Sequence, residues 1–142
     1  MEDMKKAKEW LLSGAYTCVV CKDGKCVVST QRGVAPLVKW LKSGDDFKGY
    51  YAADKVIGKA TAFLYVLLGI KAVYAGVISK TALRVLQEHD IATEYDKLVE
   101  NIINRQGDGI CPFEAAVLDV DNAKAAYEII QSKMKEMNIL IS

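Results

Sequence analysis

Asp54 opens the first of two short segments whose residue types could do chemistry. It follows a strand-like run and precedes a helical pattern, so we expect it to cap a helix. Lys55 and Lys59, four residues apart, would then present two cations on one helix face beside Gly58, where a backbone can come close. Because unpaired N–H groups at a helix start attract anions, the segment predicts a phosphate or carboxylate site. The alternative is that Asp54 only caps the helix and that both lysines are solvated.

The second segment centres on Cys111, which precedes Pro112, a residue suited to the first position of a helix. Cys111 would then be an N-cap, where the helix end can lower a thiol pKa and make the thiolate a nucleophile. Glu114 stands where the acid of a capping box would, and either Asp54 or Glu114 could handle protons. No histidine is placed to activate Cys111, and a buried structural cysteine is the alternative interpretation.

The remaining cysteines offer little as a metal site. Cys18 and Cys21 have the spacing of half a zinc knuckle, but in a strand they point to opposite faces and cannot chelate together. Cys21 and Cys26 flank an Asp23–Gly24 turn, which places them opposite each other with Cβ atoms ~5 Å apart. A redox-sensitive pair is therefore allowed by geometry, although we expect every cysteine to be reduced. We predict neither a metal nor a cofactor.

Helices and strands must both contribute to positioning these residues. Helical spacing from Met4 is stopped by Gly14, and a second helix is predicted over Val34–Lys42. Between them, two β-rich runs form a hairpin. Strand and helix patterns then alternate, which predicts the following segments: strands at Gly49–Ala53, Ala72–Ile78 and Ile91–Tyr95; helices at Lys55–Leu68 and Lys80–Glu88; and two further helices, from Pro112 and from a cap at Asp121.

This alternation predicts one α/β domain over residues 1–142, a three-layer α/β/α sandwich. Its five-stranded mixed sheet would join the N-terminal hairpin to parallel strands. Crossover helices should cover both faces of the sheet, so we expect buried strands. Ligands of open α/β sheets collect outside the carboxyl ends of the strands, which is where Asp54 falls.

Composition excludes several classes of partner. The chain has 19 basic and 18 acidic residues, a formal net charge of +1, so no global field draws it to nucleic acid or to an anionic membrane. The N-terminus lacks the apolar run of an export signal. The most apolar segment, Ile57–Ile70, is shorter than the ~20 residues of a membrane span. We therefore expect a cytoplasmic protein that binds neither nucleic acid nor membrane.

Three motifs resemble an uncharacterised prokaryotic domain family of the cytidine-deaminase-like superfamily. They are Gln31–Leu37, Ala53–Ala60 and the stretch from Ile103 to Glu114. The resemblance covers nearly the whole chain and implies the cytidine-deaminase-like fold with its cleft. Deaminases carry His/Cys-x-Glu and Pro-Cys-x-x-Cys at two helix starts. The counterparts here, Arg32–Val34 and Asp54–Val56, cannot bind zinc in that way, so the resemblance does not imply deamination.

The same fold would bring the candidate residues to one cleft from separate loops and helix starts. They are Arg32, Asp54, Lys55, Gly58, Lys59, Arg105, Cys111 and Glu114. We predict that this set binds a small anionic or nucleotide-like molecule, either without catalysis or as a metal-independent enzyme that uses Cys111.

Two other functions remain open. A non-catalytic regulatory or scaffolding module, acting as a homo-oligomer such as a homodimer, is suggested by Trp40 and Phe47 as exposed apolar candidates. A thiol redox sensor is suggested by Cys21 facing Cys26 and by Cys111 at a helix start.

Overall fold

The hairpin and the alternation that follows it are both present in the structure, a computed structural model that describes residues 2–31, 33–104, 106–107 and 109–139. The elements in chain order are α1 (Glu2–Leu12), β1 (Cys18–Lys22), β2 (Lys25–Ser29), α2 (Ala35–Lys42), β3 (Tyr51–Ile57), α3 (Lys59–Leu68), β4 (Ala72–Ser79), α4 (Lys80–Glu88), β5 (Ala92–Val99), α5 (Pro112–Ala116) and α6 (Ala123–Glu136). The five strands form one sheet in the order β2-β1-β3-β4-β5. The hairpin strands pair antiparallel with each other and β1 pairs antiparallel with β3, whereas β3, β4 and β5 are parallel. The predicted mixed five-stranded sheet is confirmed.

The hairpin turns at the predicted residues. Asp23 and Gly24 have φ angles of 51° and 80°, the left-handed conformation that a two-residue hairpin turn requires. The Asp3 carboxylate accepts from both of their N–H groups, at 3.0 and 3.1 Å, and so ties the turn to α1. The register places Cys21 opposite Cys26, and the two are joined in a disulfide with Cα atoms 4.1 Å apart. The expectation of reduced cysteines is therefore wrong for this pair.

The helices divide unequally between the two faces of the sheet. On one face, Ala7 and Leu11 of α1 pack with Val19, Ala53 and Tyr74. The other face, through residues such as Val20, Ala52 and Val73, packs against α2, α3, α4, α5 and α6. The expectation that crossover helices cover both faces is wrong, because β3, β4 and β5 advance in one direction and right-handed crossovers then fall on one side.

This asymmetry leaves strand β5 exposed, contrary to the prediction of buried strands. Six of its eight residues are exposed, among them Tyr95 and Leu98. The strand also runs to Val99 rather than ending at Tyr95, because it pairs with β4 through Ser79.

Within the described part of the chain, no helix combines the length and apolar character needed to cross a bilayer.

Strand β3 runs four residues further than predicted, and this changes the interpretation of Asp54. We expected a helix from Lys55, but Val56 and Ile57 pair with Val77 and Ile78 of β4. Both are β-branched and favour strands when a neighbouring strand is available. Asp54 therefore lies inside a strand and does not cap a helix.

Two smaller expectations also differ from the structure. The N-cap of α6 is Asn122, whose Oδ1 accepts from the Ala125 N–H at 3.0 Å, and not Asp121. Trp40 and Phe47 are 7% and 5% exposed and pack edge-on against each other, with ring centroids 5.1 Å apart. The apolar surface that suggested a scaffolding module is thus part of the core.

Candidate functional site

One pocket brings together the two segments singled out in the sequence. It has a volume of about 360 Å³, within the roughly 300–1,000 Å³ range typical of small-molecule sites. Its wall includes Asp54 and Lys55 of β3 and Gly58 directly after that strand, together with Cys111 and Glu114 at the start of α5. The predicted meeting of these segments therefore occurs, although the elements that carry the residues differ from those expected.

Asp54 belongs to a buried hydrogen-bonded chain at the pocket wall. The Tyr65 hydroxyl donates to Asp54 Oδ2 at 2.7 Å, and the Cys18 sulfur lies 3.1 Å from the same hydroxyl. Asp54 is 7% exposed, whereas Tyr65 and Cys18 are 0% and 1% exposed. Cys18 also lines the pocket, so these hydrogen bonds connect two pocket residues, Cys18 and Asp54, through Tyr65 of α3.

Burial controls the protonation of this chain. Removal from water disfavours the charged carboxylate and raises the pKa of Asp54 to about 7, against the opposing effect of the Tyr65 hydrogen bond. The same burial raises the pKa of Cys18 and of Tyr65 well above their ordinary values, and the neighbouring Asp54 charge adds to both shifts. Asp54 can thus gain or lose a proton near neutral pH, and it lines the pocket.

Glu114 caps a helix other than its own. Its Oε2 accepts from the Lys59 N–H at 2.6 Å, at the first residue of α3, and the Thr81 hydroxyl lies 3.3 Å from Oε1. Gly58, the N-cap of α3, has no side chain, and this absence makes room for the carboxylate. The capping-box role expected within α5 is therefore wrong, and an internal carboxylate already occupies the anion position at the start of α3.

The two lysines have separate surroundings. Lys55 is an exposed strand residue that lines the pocket. Lys59 is in α3, where its Nζ donates to the Leu118 carbonyl at 2.7 Å and lies 5.8 Å from the centroid of the Phe63 ring. The predicted pair of cations on one helix face is wrong, because β3 continues past Lys55.

Cys111 is the N-cap of α5, as predicted. It is half-buried and lines the pocket; its own N–H donates to the Ile102 carbonyl at 2.8 Å. Arg32 and Arg105, the other predicted ligand-binding residues, lie outside the described residues. Among the side chains described, no group of three His, Cys, Asp or Glu is arranged to hold a metal ion.

Sequence reasoning missed Tyr65 and the role of Cys18. Tyr65 sits in an apolar helical run and has the pattern of a core residue, which it also is. Its bond to Asp54 depends on where β3 ends and α3 begins. The signal that was available is an acidic residue inside an otherwise apolar parallel strand, because such a residue needs a buried partner.

Comparisons with known proteins bear on the family and the fold. The model of the family described as TM1506, domain of unknown function (DUF1893), matches residues 6–134. The crystal structure of the DUF1893 family protein TM1506 from Thermotoga maritima is similar with a TM-score of 0.86 and 26% identity, over 93% of this chain and 90% of that one. Among curated proteins, none matches.

Two deaminases are similar at lower scores. One is dCMP deaminase from the cyanophage S-TIM5, with a TM-score of 0.46 and 20% identity over 67% of this chain and 94% of that one. The other is a diaminohydroxyphosphoribosylaminopyrimidine deaminase/5-amino-6-(5-phosphoribosylamino)uracil reductase from Thermotoga maritima, with a TM-score of 0.43 and 18% identity over 83% of this chain and 40% of that one. Likeness at this level says nothing about the chemistry of the present pocket.

Proposed function

Because the chain belongs to the TM1506 family, a domain of unknown function (DUF1893), we propose its function from the pocket itself: it binds a small nucleotide-like molecule there. The observation that carries the proposal is that Asp54, Lys55 and Cys111 line one cavity of about 360 Å³. Such a cavity, with apolar walls and a few convergent polar groups, is the usual form of a small-molecule site.

The ligand is oriented by the contrast between the cation of Lys55 and the apolar part of the pocket wall. Lys55 is exposed and provides a cation for an anionic group of the ligand. The start of α3 does not serve this purpose, since Glu114 already accepts from the Lys59 N–H. The body of the ligand then lies against apolar residues such as Val34, Val56 and Phe113.

A catalytic form of this proposal uses Cys111. Its sulfur would add to the carbon of a C=N bond in the bound molecule, and the π electrons of that bond would move to the nitrogen. The Asp54 carboxylate would take up the thiol proton and pass it to that nitrogen. Support comes from the position of both groups in one pocket wall and from the raised pKa of Asp54, about 7, which suits a proton acceptor at neutral pH. No metal takes part in this step.

The alternative, a non-catalytic scaffolding module acting as a homo-oligomer, keeps one favourable observation. The outer edge of β5 has no strand partner among the described residues and could pair with a second copy. However, Glu94, Asp96 and Lys97 are exposed along that strand, and charged side chains are a common means of preventing edge-to-edge pairing. We therefore favour the small-molecule proposal.

Thermal-shift screening of nucleotides and phosphorylated metabolites tests the proposal. A ligand at about 100 times its Kd stabilises a protein by roughly 2.7 kcal/mol, so we expect at least one to raise the Tm by several degrees. Lys55→Ala should weaken that ligand about tenfold, the loss expected for one charge-assisted contact. Lys25→Ala, which removes a lysine from the far end of the hairpin, is the matched control and should leave the shift unchanged. No stabilisation by any compound, or equal responses in both variants, would contradict the proposal.

A further inference from the structure

Thr61 carries a hydroxyl in the pocket wall that no described group bonds. The residue lies in the first turn of α3, is 5% exposed and lines the pocket. A helical threonine usually satisfies its hydroxyl on the carbonyl three or four residues before it, here that of Gly58 or Ile57. Neither bond forms, and the Gly58 carbonyl accepts from the Ala62 N–H at 2.9 Å instead. The Thr61 hydroxyl therefore keeps its full hydrogen-bonding capacity.

This unpaired hydroxyl opens on the pocket. In the part of the chain that the structure describes, every side-chain oxygen or nitrogen that is sealed from solvent has a hydrogen-bond partner. The Thr61 hydroxyl lacks a partner, so it is not sealed, and Thr61 lines the pocket. A molecule that covered this hydroxyl without bonding it would remove its contact with water and leave it unsatisfied, which is unfavourable. A ligand must therefore bring a hydrogen-bonding group to Thr61.

The start of α3 adds donors beside this hydroxyl. The Lys59 N–H is taken by Glu114 Oε2, at 2.6 Å. The next two N–H groups, of Ala60 and Thr61, have no acceptor among the described residues, as is usual in the first turn of a helix. Both residues line the pocket. Because an N–H can only donate, the ligand atom that satisfies this part of the wall must be an acceptor.

The acceptor that fits is uncharged. The Glu114 carboxylate lies against the same helix start and would repel a second anion there. The neighbouring wall is apolar at Ala60 and Phe113, which disfavours taking a full charge out of water. A carbonyl oxygen has two lone pairs and can take the hydroxyl and an N–H together. We infer that the start of α3 binds a neutral carbonyl oxygen of the ligand, of the amide, lactam or urea type, and that the Thr61 hydroxyl selects it. This inference rests on the proposed function and specifies the chemical class of its ligand.

Three probes of similar shape and different head groups test the inference: benzamide, thiobenzamide and benzoate. In the 15N-labelled protein, benzamide should move the amide proton of Ala60 or Thr61 downfield, because that N–H gains an acceptor. It should bind at least about tenfold more tightly than benzoate and about fivefold more tightly than thiobenzamide, whose sulfur is a weak acceptor. Thr61→Val, which replaces the hydroxyl by a methyl group, should weaken benzamide about fivefold and leave thiobenzamide nearly unchanged, whereas Thr61→Ser should keep the native affinity. Thr93→Val is the matched control, since its hydroxyl bonds the Ile91 carbonyl away from the pocket.

Each other outcome has a distinct meaning. Benzoate binding as tightly as benzamide, or an unchanged benzamide affinity in Thr61→Val, would overturn the inference, as would the absence of shifts by all three probes at millimolar concentration. The proposed function would survive any of these if the nucleotide screen still gave a ligand that depends on Lys55, and it would fail with the inference if that screen gave none. If Thr61→Val does not fold, the native protein decides, because equal affinities for benzamide and thiobenzamide would show that no hydrogen bond reaches the carbonyl oxygen.

Discussion

The difference in unfolding free energy between Asp54→Asn and the native protein is expected to change with pH. Between pH 5 and pH 8 it should move in favour of the variant by about 2–3 kcal/mol. The pKa of Asp54 is raised from its ordinary value of 3.8 to about 7 by burial, so the folded state holds a proton that the unfolded state has lost. Where the folded state binds more protons, stability falls with rising pH, by about 1.4 kcal/mol per unit. The native protein therefore loses stability up to the folded pKa, and asparagine, which does not titrate, does not contribute to that loss.

Urea denaturation of both proteins at pH 5, 6, 7 and 8 measures this difference. Asp45→Asn is the matched control, because it makes the same substitution at an exposed position. A constant difference for Asp54→Asn over the four pH values would mean that Asp54 titrates as an exposed carboxyl group. The buried chain through Tyr65 would then be an incorrect description of the site.

Gly58→Ala is expected to destabilise the protein by about 2 kcal/mol. The added methyl carbon would lie 2.4 Å from Glu114 Oε2 and 3.2 Å from Ile102 Cγ1, and one of these must move. The backbone does not resist the change, since the φ of Gly58 is −96°. Glu114 is a flexible side chain but is 2% exposed, so moving it breaks its bond to the Lys59 N–H and leaves two buried polar groups unsatisfied. Such a loss costs roughly 1–3 kcal/mol.

A double-mutant cycle identifies the cause. Glu114→Ala removes the carboxylate, so the cost of Gly58→Ala measured in that background should fall to below about 1 kcal/mol. Gly109→Ala is the control for the glycine substitution, since among the described residues its added carbon would contact only Asn104 Nδ2, at an ordinary 3.6 Å. Additive costs in the cycle would show that Glu114 does not fill the space beside Gly58.

Much of the architecture follows from short-range patterns. Asp23–Gly24 specifies the hairpin turn and thereby the Cys21–Cys26 register, and the alternation after Gly49 specifies the parallel strands. The end of β3 could not be assigned in this way. Val56 and Ile57 fit both the helical spacing that follows and a strand, and only pairing with Val77 and Ile78 decides between them.

The sequence predicted where the site lies better than it predicted which residues contact each other there. The rule that ligands collect at the carboxyl ends of parallel strands indicated the part of the sheet where Asp54 lines the pocket, although Asp54 lies inside β3 and not beyond its end. The partners of its neighbours depend on long-range packing: Glu114 bonds a residue 55 positions away in the chain. The same is true of Cys18 and Tyr65, which are 47 positions apart.

The most direct test of the account is whether a charge placed on Cys111 is felt by Asp54. Alkylation of Cys111 with iodoacetate adds a carboxylate to the pocket, and iodoacetamide adds a neutral group of nearly the same shape. The 13C signal of the Asp54 carboxyl, followed against pH in each product, gives its pKa. We expect a pKa higher by about half a unit or more in the carboxymethylated protein, because a like charge in the same cavity disfavours ionisation. Equal pKa values in the two products would contradict the claim that Asp54 and Cys111 share one pocket.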